Sequence, residues 1–306
     1  MSTSQSAGAR LRALMAQHSC LVTPGCYDAL SARLAEQAGF EAISISGFGL
    51  EASLLGRPDL GLLTLSELVL QAGRIAQAVS TPVTCDGETG FGGVHNIARL
   101  VRDLEAGGLA GVQLEDQANP KRCPALEGRS VVSLDEQLAR LGAALAARRD
   151  PDFLIIARSD ADVLGYDELV LRCNRYLEAG ADVAMPICFE VEGRPLSALS
   201  PDDQMELYAR LARDIDGPVK GVLIPDGYTA ADMAQIGYSL LGLSGGPIEA
   251  VANALAQAFA DLRRTGSEAA YRNAHPPQIT APGGVMRVLG LAEHLDFERR
   301  FARPES

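Results

Sequence analysis

The sequence predicts a closed (β/α)8 barrel of the TIM type, and two observations favour that fold. First, one unit recurs eight times: a short apolar or β-branched run, a Gly- or Asp-rich turn, and then an amphipathic helix. Second, three helices end in similar sequences, EQAGFEAI, LEAGGLAGV and LEAGADVAM, where a Gly just past the helix can take the left-handed C′ conformation. Eight such units favour a barrel over an open doubly wound sheet, and no G-x-G-x-x-G motif at a strand–helix turn supports the open sheet.

The eight predicted strands are short apolar runs that are bounded by turn residues. In chain order they lie near 20–23, 42–46, 82–85, 111–114, 153–157, 183–186, 218–224 and 238–241. An amphipathic helical pattern follows each strand, at 28–38, 64–79, 94–106, 133–148, 167–179, 201–213, from 230 onward, and at 247–263. This alternation is typical of a parallel sheet whose helices cover the outside.

The tail of the chain lies beyond the eighth unit. We therefore assign 1–264 to a catalytic barrel domain and 265–306 to a C-terminal helical extension. The extension keeps a helical pattern around 285–294 and 297–301. We expect it to pack on a neighbouring subunit in a homo-oligomer, a tetramer arranged as a dimer of dimers.

Composition narrows the range of partners and compartments. The formal net charge is −12, which argues against nucleic acids and anionic membranes, because both bind basic patches. A small anionic substrate is compatible with this charge, provided that a metal ion or a particular Arg supplies local positive charge. The six cysteines form no C-x-x-C pair, and no apolar segment is long enough to cross a bilayer. We therefore expect a cytoplasmic protein with reduced thiols.

Carboxylates follow two neighbouring strands, at the barrel end where active sites lie. Asp86 and Glu88 come directly after the third strand, and Glu115 follows the fourth. Crowded carboxylates repel one another, and a hard divalent cation removes that conflict because Mg2+ prefers oxygen ligands. We interpret these three residues as ligands of Mg2+, with Mn2+ as the other candidate ion, and Asp116 as a supporting residue. The alternative is that they are solvated loop acids or helix N-caps.

Four further residues near the same rim have polar side chains or backbone groups that can act in binding or catalysis. Arg158 ends an apolar strand and can bind a substrate carboxylate with its planar fork, or instead form a salt bridge to a neighbouring acid. Ser46 and Gly47 follow the second strand and offer a hydroxyl and backbone N–H groups to an anion. Cys123 lies between Arg122 and Pro124 on a basic loop; the nearby Lys and Arg are expected to lower its pKa, although a loop Cys is often passive.

Read together, these residues resemble the isocitrate lyase / phosphoenolpyruvate mutase superfamily. The similarity is carried by PGCYDALSARLAEQAGFEAISISG, GRPDLGLLTLSE, PVTCDGETGFGG, GVQLEDQANPKRC and DPDFLIIARSDA, which cover most of the chain in the family's order. The nearest branch resembles the methylisocitrate lyase, dimethylmalate lyase and carboxyphosphonoenolpyruvate mutase group. That resemblance implies a barrel enzyme that binds Mg2+ and a 2-oxo-acid or its enolate.

The resemblance also implies roles for individual positions. By it, Asp86, Glu88 and Glu115 hold the metal, and Asp59 lies near the metal's waters. Substrate binding falls to the positions that match the family's oxo-acid site, which are Ser46, Gly47, Gly90 and Arg158. Cys123 matches the Cys that lyases of this family use as a proton donor or acceptor on a gating loop. Because phosphoenolpyruvate mutases lack that Cys, its presence favours C–C bond chemistry.

The sequence departs from the family pattern close to the chemistry. Glu88 replaces an Asp, Gln113 replaces a His, and Pro124-Ala125 replaces Gly-His after the Cys. Ile187 and the stretch 223–225 replace a Glu and an Asn–Glu pair that hold the far end of a di- or tricarboxylate. We therefore expect a Mg2+-dependent lyase that cleaves a C–C bond of a small 2-hydroxy-dicarboxylate or related acid. The alternatives are an oxaloacetate-type hydrolase or decarboxylase, a P–C bond mutase or hydrolase, and a non-catalytic oxo-acid-binding paralogue.

Overall fold

Eight parallel strands form the centre of the molecule. The structure is a computed structural model that describes residues 5–191, 193–276 and 284–301. The strands are β1 (Leu21–Cys26), β2 (Ile43–Ile45), β3 (Val83–Asp86), β4 (Gly111–Glu115), β5 (Leu154–Ser159), β6 (Val183–Pro186), β7 (Lys220–Gly221) and β8 (Leu240–Leu243). They pair in the order β6-β5-β4-β3-β2-β1-β8-β7, and a parallel bridge between Ala184 and Val219 joins the two ends. The predicted (β/α)8 barrel is confirmed.

Helices surround this barrel and continue past it. They are α1 (Ala7–Gln17), α2 (Ala29–Gln37), α3 (Gly47–Leu50), α4 (Leu65–Ala78), α5 (Val94–Ala106), α6 (Leu134–Ala147), α7 (Tyr166–Glu178), α8 (Pro201–Asp214), α9 (Ala230–Gln235), α10 (Gly245–Thr265), α11 (Ala269–Ala274), α12 (Val285–Val288) and α13 (Leu291–Phe301). A π-helical turn at Glu51–Leu55 extends α3, and a two-stranded hairpin joins Glu190–Val191 to Arg194–Pro195.

Local sequence explains where these elements begin and end. Thr64 and Glu67 form a capping box at the start of α4, since each side chain bonds the other residue's backbone N–H. The glycines of the three similar helix ends, Gly39, Gly108 and Gly180, have φ angles of 92°, 89° and 105°. The predicted left-handed turns from helix to strand are therefore present.

The structure differs from the prediction in two elements, one strand that is shorter than predicted and one helix that was not predicted. The seventh strand, predicted at 218–224, pairs only over Val219–Gly221, with Val219 in the bridge to Ala184, because Val222 onward leaves the sheet toward Pro225. Helix α1 was not predicted. Its Leu11 is fully buried in the same cluster as Leu21 and Ala42. A side chain at Gly8 would lie 2.4 Å from the Asp152 carbonyl oxygen, so the helix needs Gly there to approach the barrel.

The C-terminal helices cover little of the barrel in this chain. Helices α10, α11 and α13 contain no buried residue. They leave large apolar side chains exposed at Val251, Leu255, Phe259, Leu262, Leu291, Leu295, Phe297 and Phe301. The helical pattern predicted at 285–301 is present as α12 and α13, whereas 277–283 and 302–306 lie outside the described residues. No helix within the described residues has both the length and the apolarity that a membrane span requires.

Candidate active site

The predicted polar residues converge on one rim because neighbouring strands place them in register. Arg158 on β5 pairs with Glu115 on β4, and Asp86 on β3 pairs with Gln113 on β4. The turn after β2 approaches the same carboxylates. A side chain at Gly47 would lie 2.3 Å from Glu88 Oε1 and 3.1 Å from Asp86 Oδ2. Only Gly therefore fits at this position, and its backbone faces the acidic cluster.

Lys121 lies across two of these carboxylates. Its ammonium pairs with both Asp59 and Glu88, and all three side chains are buried. Burial favours the neutral amine, but Glu88, Glu115 and Asp59 outweigh it and raise the pKa of Lys121 above its usual range. Burial and the charge of Asp86 raise the pKa of Glu88 to about 8, although Lys121 opposes them. Lys121 thus holds the loop after β4 against the rim through these two ion pairs.

Arg158 forms the second buried charge cluster. Its Nη1 lies 2.7 Å from Glu115 Oε2, and its Nε and Nη2 donate to Asp160 at 2.8 and 3.0 Å. Asp160 in turn receives a bond from Arg129 at 3.3 Å. Burial raises the pKa of Glu115 well above its usual value, and Arg158 only partly offsets this. The salt bridge proposed as the alternative for Arg158 is therefore present, and one guanidinium edge is used by Asp160.

Asp116 holds the rim together and faces away from the cluster. Its carboxylate accepts hydrogen bonds from the Ser159 hydroxyl, the Asp160 N–H and the Tyr176 hydroxyl at 2.7, 2.8 and 2.7 Å. Arg172 lies 3.2 Å from the same carboxylate. Both carboxylate oxygens thus have donors, one on Oδ1 and three on Oδ2, which agrees with the supporting role inferred for Asp116.

The donor set fits a hard divalent cation. Among the described residues none donates a hydrogen bond to Glu88 Oε1 or to Glu115 Oε1, although both atoms are buried. Unsatisfied buried carboxylate oxygens are costly, and a bound cation would satisfy them. Oxygens of Glu51, Asp59 and Glu88 also lie within 4.8 Å of one another. Glu51 already accepts backbone bonds from Leu60 and Leu62 at 2.9 and 2.6 Å, so it serves the loop before α4 and is the weaker ligand candidate.

The expectation of a lowered pKa for Cys123 is wrong. Burial raises the pKa of this thiol and Asp59 adds to the effect, whereas a backbone hydrogen bond at Ala125, Arg158 and Lys121 lower it without reversing it. The reason is that its basic neighbours in sequence point elsewhere. Lys121 pairs with Asp59 and Glu88, and Arg122 Nη1 donates to the Glu127 carbonyl at 3.2 Å. The thiol is therefore protonated at neutral pH. The backbone N–H of Cys123 donates a hydrogen bond to the Asp59 carbonyl at 3.0 Å.

Ser46 and Gly90 each have a local structural role. Ser46 begins α3, and its hydroxyl accepts a bond from the Gly49 N–H at 3.1 Å. Gly90 has a φ of 88°, and a side chain there would lie 2.3 Å from Ile97. These contacts explain the residue types, and substrate binding by both residues stays a prediction.

Three site residues were not identified from sequence as part of the charge network: Glu51, Lys121 in its pairing role, and Lys220. Lys220 interrupts the apolar run PVKGVLI, and this is the signal that marks it. Its side chain is 1% exposed, and Nζ donates to Gln113 Oε1 at 2.8 Å. Gln113, which stands where the family has a His, thus accepts a hydrogen bond from a buried lysine on another side of the barrel.

A cavity of about 860 Å3 lies beside Arg129, above the ends of β6 and β7. Its lining is mixed: the apolar side chains include Leu126, Phe189, Leu196, Leu199, Leu223, Ile224 and Pro225, and the polar ones include Glu127, Arg129, Glu190, Gln204 and Asp226. The stretch 223–225, which departs from the family pattern, is therefore part of this lining. Arg129 connects the cavity to Arg158 through Asp160.

Comparison with known proteins agrees with this geometry. The family model described as phosphoenolpyruvate phosphomutase matches residues 11–263. 2,3-Dimethylmalate lyase of Eubacterium barkeri is 38% identical over 237 residues, which is 76% of this chain and 78% of that protein. The structure of oxaloacetate acetylhydrolase in complex with 3,3-difluorooxalacetate has a TM-score of 0.84 at 31% identity, covering 96% of this chain and 97% of the other.

A second solved structure, a phosphonopyruvate hydrolase complex with oxalate and Mg2+, has a TM-score of 0.83 at 29% identity and covers 98% of this chain and 100% of the other. The relatives are lyases, mutases and hydrolases of small acids. Together with the barrel and its acidic rim, these similarities mean that the chain is an enzyme that belongs to the phosphoenolpyruvate mutase / isocitrate lyase superfamily.

Proposed function

We propose that the protein is a Mg2+-dependent lyase that cleaves a C–C bond of a small 2-hydroxy-dicarboxylate or a related acid and forms a 2-oxo-acid. The observation that carries the proposal is the pair of buried carboxylates at Glu88 and Glu115, each with an oxygen to which no described residue donates. Asp86, Glu88 and Glu115 would hold the ion, directly or through its waters. When bound, Mg2+ polarises the oxo oxygen and stabilises the negative charge of an enolate.

The residues around the ion supply binding and proton transfer. Ser46 and the Gly47 backbone would hold the substrate carboxylate, together with Nη1 of Arg158, which also contacts Glu115. Cys123 would supply a proton to the carbanion, since burial raises the pKa of its thiol and keeps it protonated. Lys121 would keep the loop after β4 closed over the site through Asp59, which limits access of water.

The far end of the substrate is proposed to be apolar. Leu223, Ile224 and Pro225 line the cavity above β7 in place of polar side chains, and Phe189 and Leu196 face it from the hairpin region. An alkyl-substituted acid would bury apolar area there, at about 25 cal/mol for each Å2 removed from water. A second carboxylate at the same place would lose its hydration, and the lining cation Arg129 is already paired with Asp160 and Asp162.

The assembly and location follow the same reasoning. We propose a homo-oligomer, a dimer of dimers, in which the exposed apolar side chains of α10 and α13 pack on a neighbouring subunit. Contiguous exposed apolar surface of this kind is typical of an interface. All six cysteines are free thiols, which is compatible with the proposed cytoplasmic location.

The test is an assay of the purified protein with Mg2+ against 2-alkylmalates, 2,3-dialkylmalates, oxaloacetate and phosphonopyruvate, following pyruvate, glyoxylate and oxalate. The proposal predicts the highest kcat/KM with an alkyl-substituted malate and no activity in EDTA. Release of oxalate from oxaloacetate would instead favour the hydrolase alternative, to which the similarity with oxaloacetate acetylhydrolase points. No turnover of any of these acids, with oxalate still bound in Mg2+, would favour a non-catalytic oxo-acid-binding protein.

A further inference from the structure

The chain contains 27 basic residues, and only two of them, Lys121 and Lys220, are lysines. Both are buried inside the barrel. Everywhere else the protein uses Arg as its cation. An amine differs from a guanidinium in one chemical property that matters here, because an amine can lose its proton and act as a nucleophile, whereas a guanidinium stays charged.

The two lysines have opposite surroundings. Lys121 lies between the carboxylates of Asp59 and Glu88 and is held as an ammonium. Lys220 donates to the amide oxygen of Gln113 at 2.8 Å and to the hydroxyl of Ser44 at 3.4 Å, and both acceptors are uncharged. Burial lowers the pKa of Lys220 to about 8; Asp86 opposes this and Arg158 adds to it. A substantial fraction of this amine is therefore unprotonated near neutral pH.

The position of the Lys220 amine places it next to the proposed oxo-acid site. Lys220 is on β7, whereas its partners Gln113 and Ser44 are on β4 and β2, so Nζ lies near the barrel axis. Gln113 lies two positions before the rim residue Glu115, and Ser44 lies two positions before the rim residue Ser46. Residues two positions apart on a strand face the same side. Two residues of a strand span about 7 Å, so the amine lies one side-chain layer below the rim.

The stem of Lys220 has room because of a glycine on the adjacent strand. A side chain at Gly242 on β8 would lie 2.6 Å from Lys220 Cε and 3.1 Å from Nζ. The hydrogen bond to Ser44 is long, at 3.4 Å, so it constrains the amine only weakly. A lysine stem with four rotatable bonds can therefore carry Nζ upward into the layer of Ser46 and Glu115.

We propose that Lys220 is a further reactive residue of this site, an amine that condenses with the carbonyl carbon of a bound 2-oxo-acid to form an imine. The nitrogen lone pair forms the C–N bond while the carbonyl π electrons move to oxygen. That oxygen then leaves as water with the two protons that the amine loses, and a C=N double bond remains. Ser44 and Gln113 lie within hydrogen-bond distance to relay these protons. The inference rests on the proposed function only in that a 2-oxo-acid must bind at the rim.

The experiment is reductive trapping with the full-length protein. Pyruvate and sodium borohydride are added in Mg2+, and the intact mass and the Arg-specific peptides are measured. The expected result is one reduced pyruvyl group per chain on the peptide that contains Lys220. The yield should rise as the pH increases through about 8, because the free amine is the nucleophile. Lys220→Arg should carry no adduct at this peptide, whereas Arg99→Lys, a control that adds an exposed amine, should carry the adduct on Lys220 and none on the new lysine.

The outcomes separate this inference from the proposed lyase reaction. Trapping needs a bound 2-oxo-acid but no turnover, so a protein that cleaves no C–C bond can still give the adduct, and a lyase can fail to give it. An unmodified Lys220 in the wild-type protein at saturating pyruvate overturns the inference, as does an adduct on Lys121 or on the N-terminal amine alone. Because the wild-type result decides, a variant that fails to fold does not leave the question open.

Discussion

Replacement of Lys121 by Met would remove a cation that contacts both Asp59 and Glu88, the one that does so among the residues that the structure describes. Breaking a buried ion pair from one side costs about 3–5 kcal/mol, because a charge is left without compensation. Lys121 lowers the pKa of Glu88, so its loss raises that pKa further above about 8, and protonation of Glu88 at neutral pH reduces this cost. We therefore expect the free energy of unfolding in EDTA to fall by about 3 kcal/mol, the lower end of that range.

Magnesium should reverse most of this loss. The ion would take the place of the ammonium charge, and a ligand at a hundred times its Kd stabilises the folded state by about 2.7 kcal/mol. In the parent protein the Lys121 ammonium competes with the ion for the same carboxylates. The stabilisation by Mg2+ should therefore be larger in Lys121→Met than in the parent.

The assay is urea unfolding of both proteins, in EDTA and in excess Mg2+. Arg99→Met is the control, because Arg99 forms an exposed ion pair with Asp103 at 3.2 Å. Such surface pairs contribute less than about 1 kcal/mol, and Mg2+ should not change the effect of the control substitution. Equal stability of Lys121→Met and the parent in EDTA, or an equal gain from Mg2+, would refute the reasoning.

Three further predictions concern the thiol, the acidic rim and the C-terminal helices. Cys123→Ser should lower kcat by at least about 100-fold while Mg2+ and oxalate still bind in calorimetry; unchanged turnover would exclude the thiol as proton donor. Mg2+ affinity should increase as the pH rises toward about 8 and then level off, because Glu88 must lose its proton to bind the ion; affinity that falls over this range in a calorimetric titration would contradict the assignment. Phe259→Asp, at a side chain that is 63% exposed, should reduce the particle mass in sedimentation without unfolding the barrel, and an unchanged mass would exclude this face as an interface.

Most of the fold was predictable because its signals are local. Most strands are short apolar runs, and many helices have a cap or a terminal Gly that the sequence displays, as at Thr64 and Gly180. Helix α1 was missed because its place is set by a distant contact, the approach of Gly8 to Asp152. The seventh strand was predicted too long because apolar content does not reveal that Val222 leaves the sheet.

The sequence was sufficient to predict which residues lie at the rim that forms the site. Parallel strands end at one edge, so Asp86 and Glu115 could be placed together from their positions alone. Partners could not be predicted, because ion pairs form across the barrel and not along the chain. Lys121 and Arg122 flank Cys123 in sequence, yet one reaches Asp59 and the other a loop carbonyl, and burial then decides the pKa of the thiol.

The central claim is that the acidic rim holds a divalent cation that binds an oxo-acid. Calorimetric titration of oxalate into the wild-type protein and Asp86→Asn, in Mg2+ and in EDTA, tests it most directly. The account predicts binding by the wild-type protein in Mg2+ only, and at least about 10-fold weaker binding by Asp86→Asn, the loss of about 1.4 kcal/mol or more. Oxalate binding of equal strength in EDTA, or in Asp86→Asn, would contradict it.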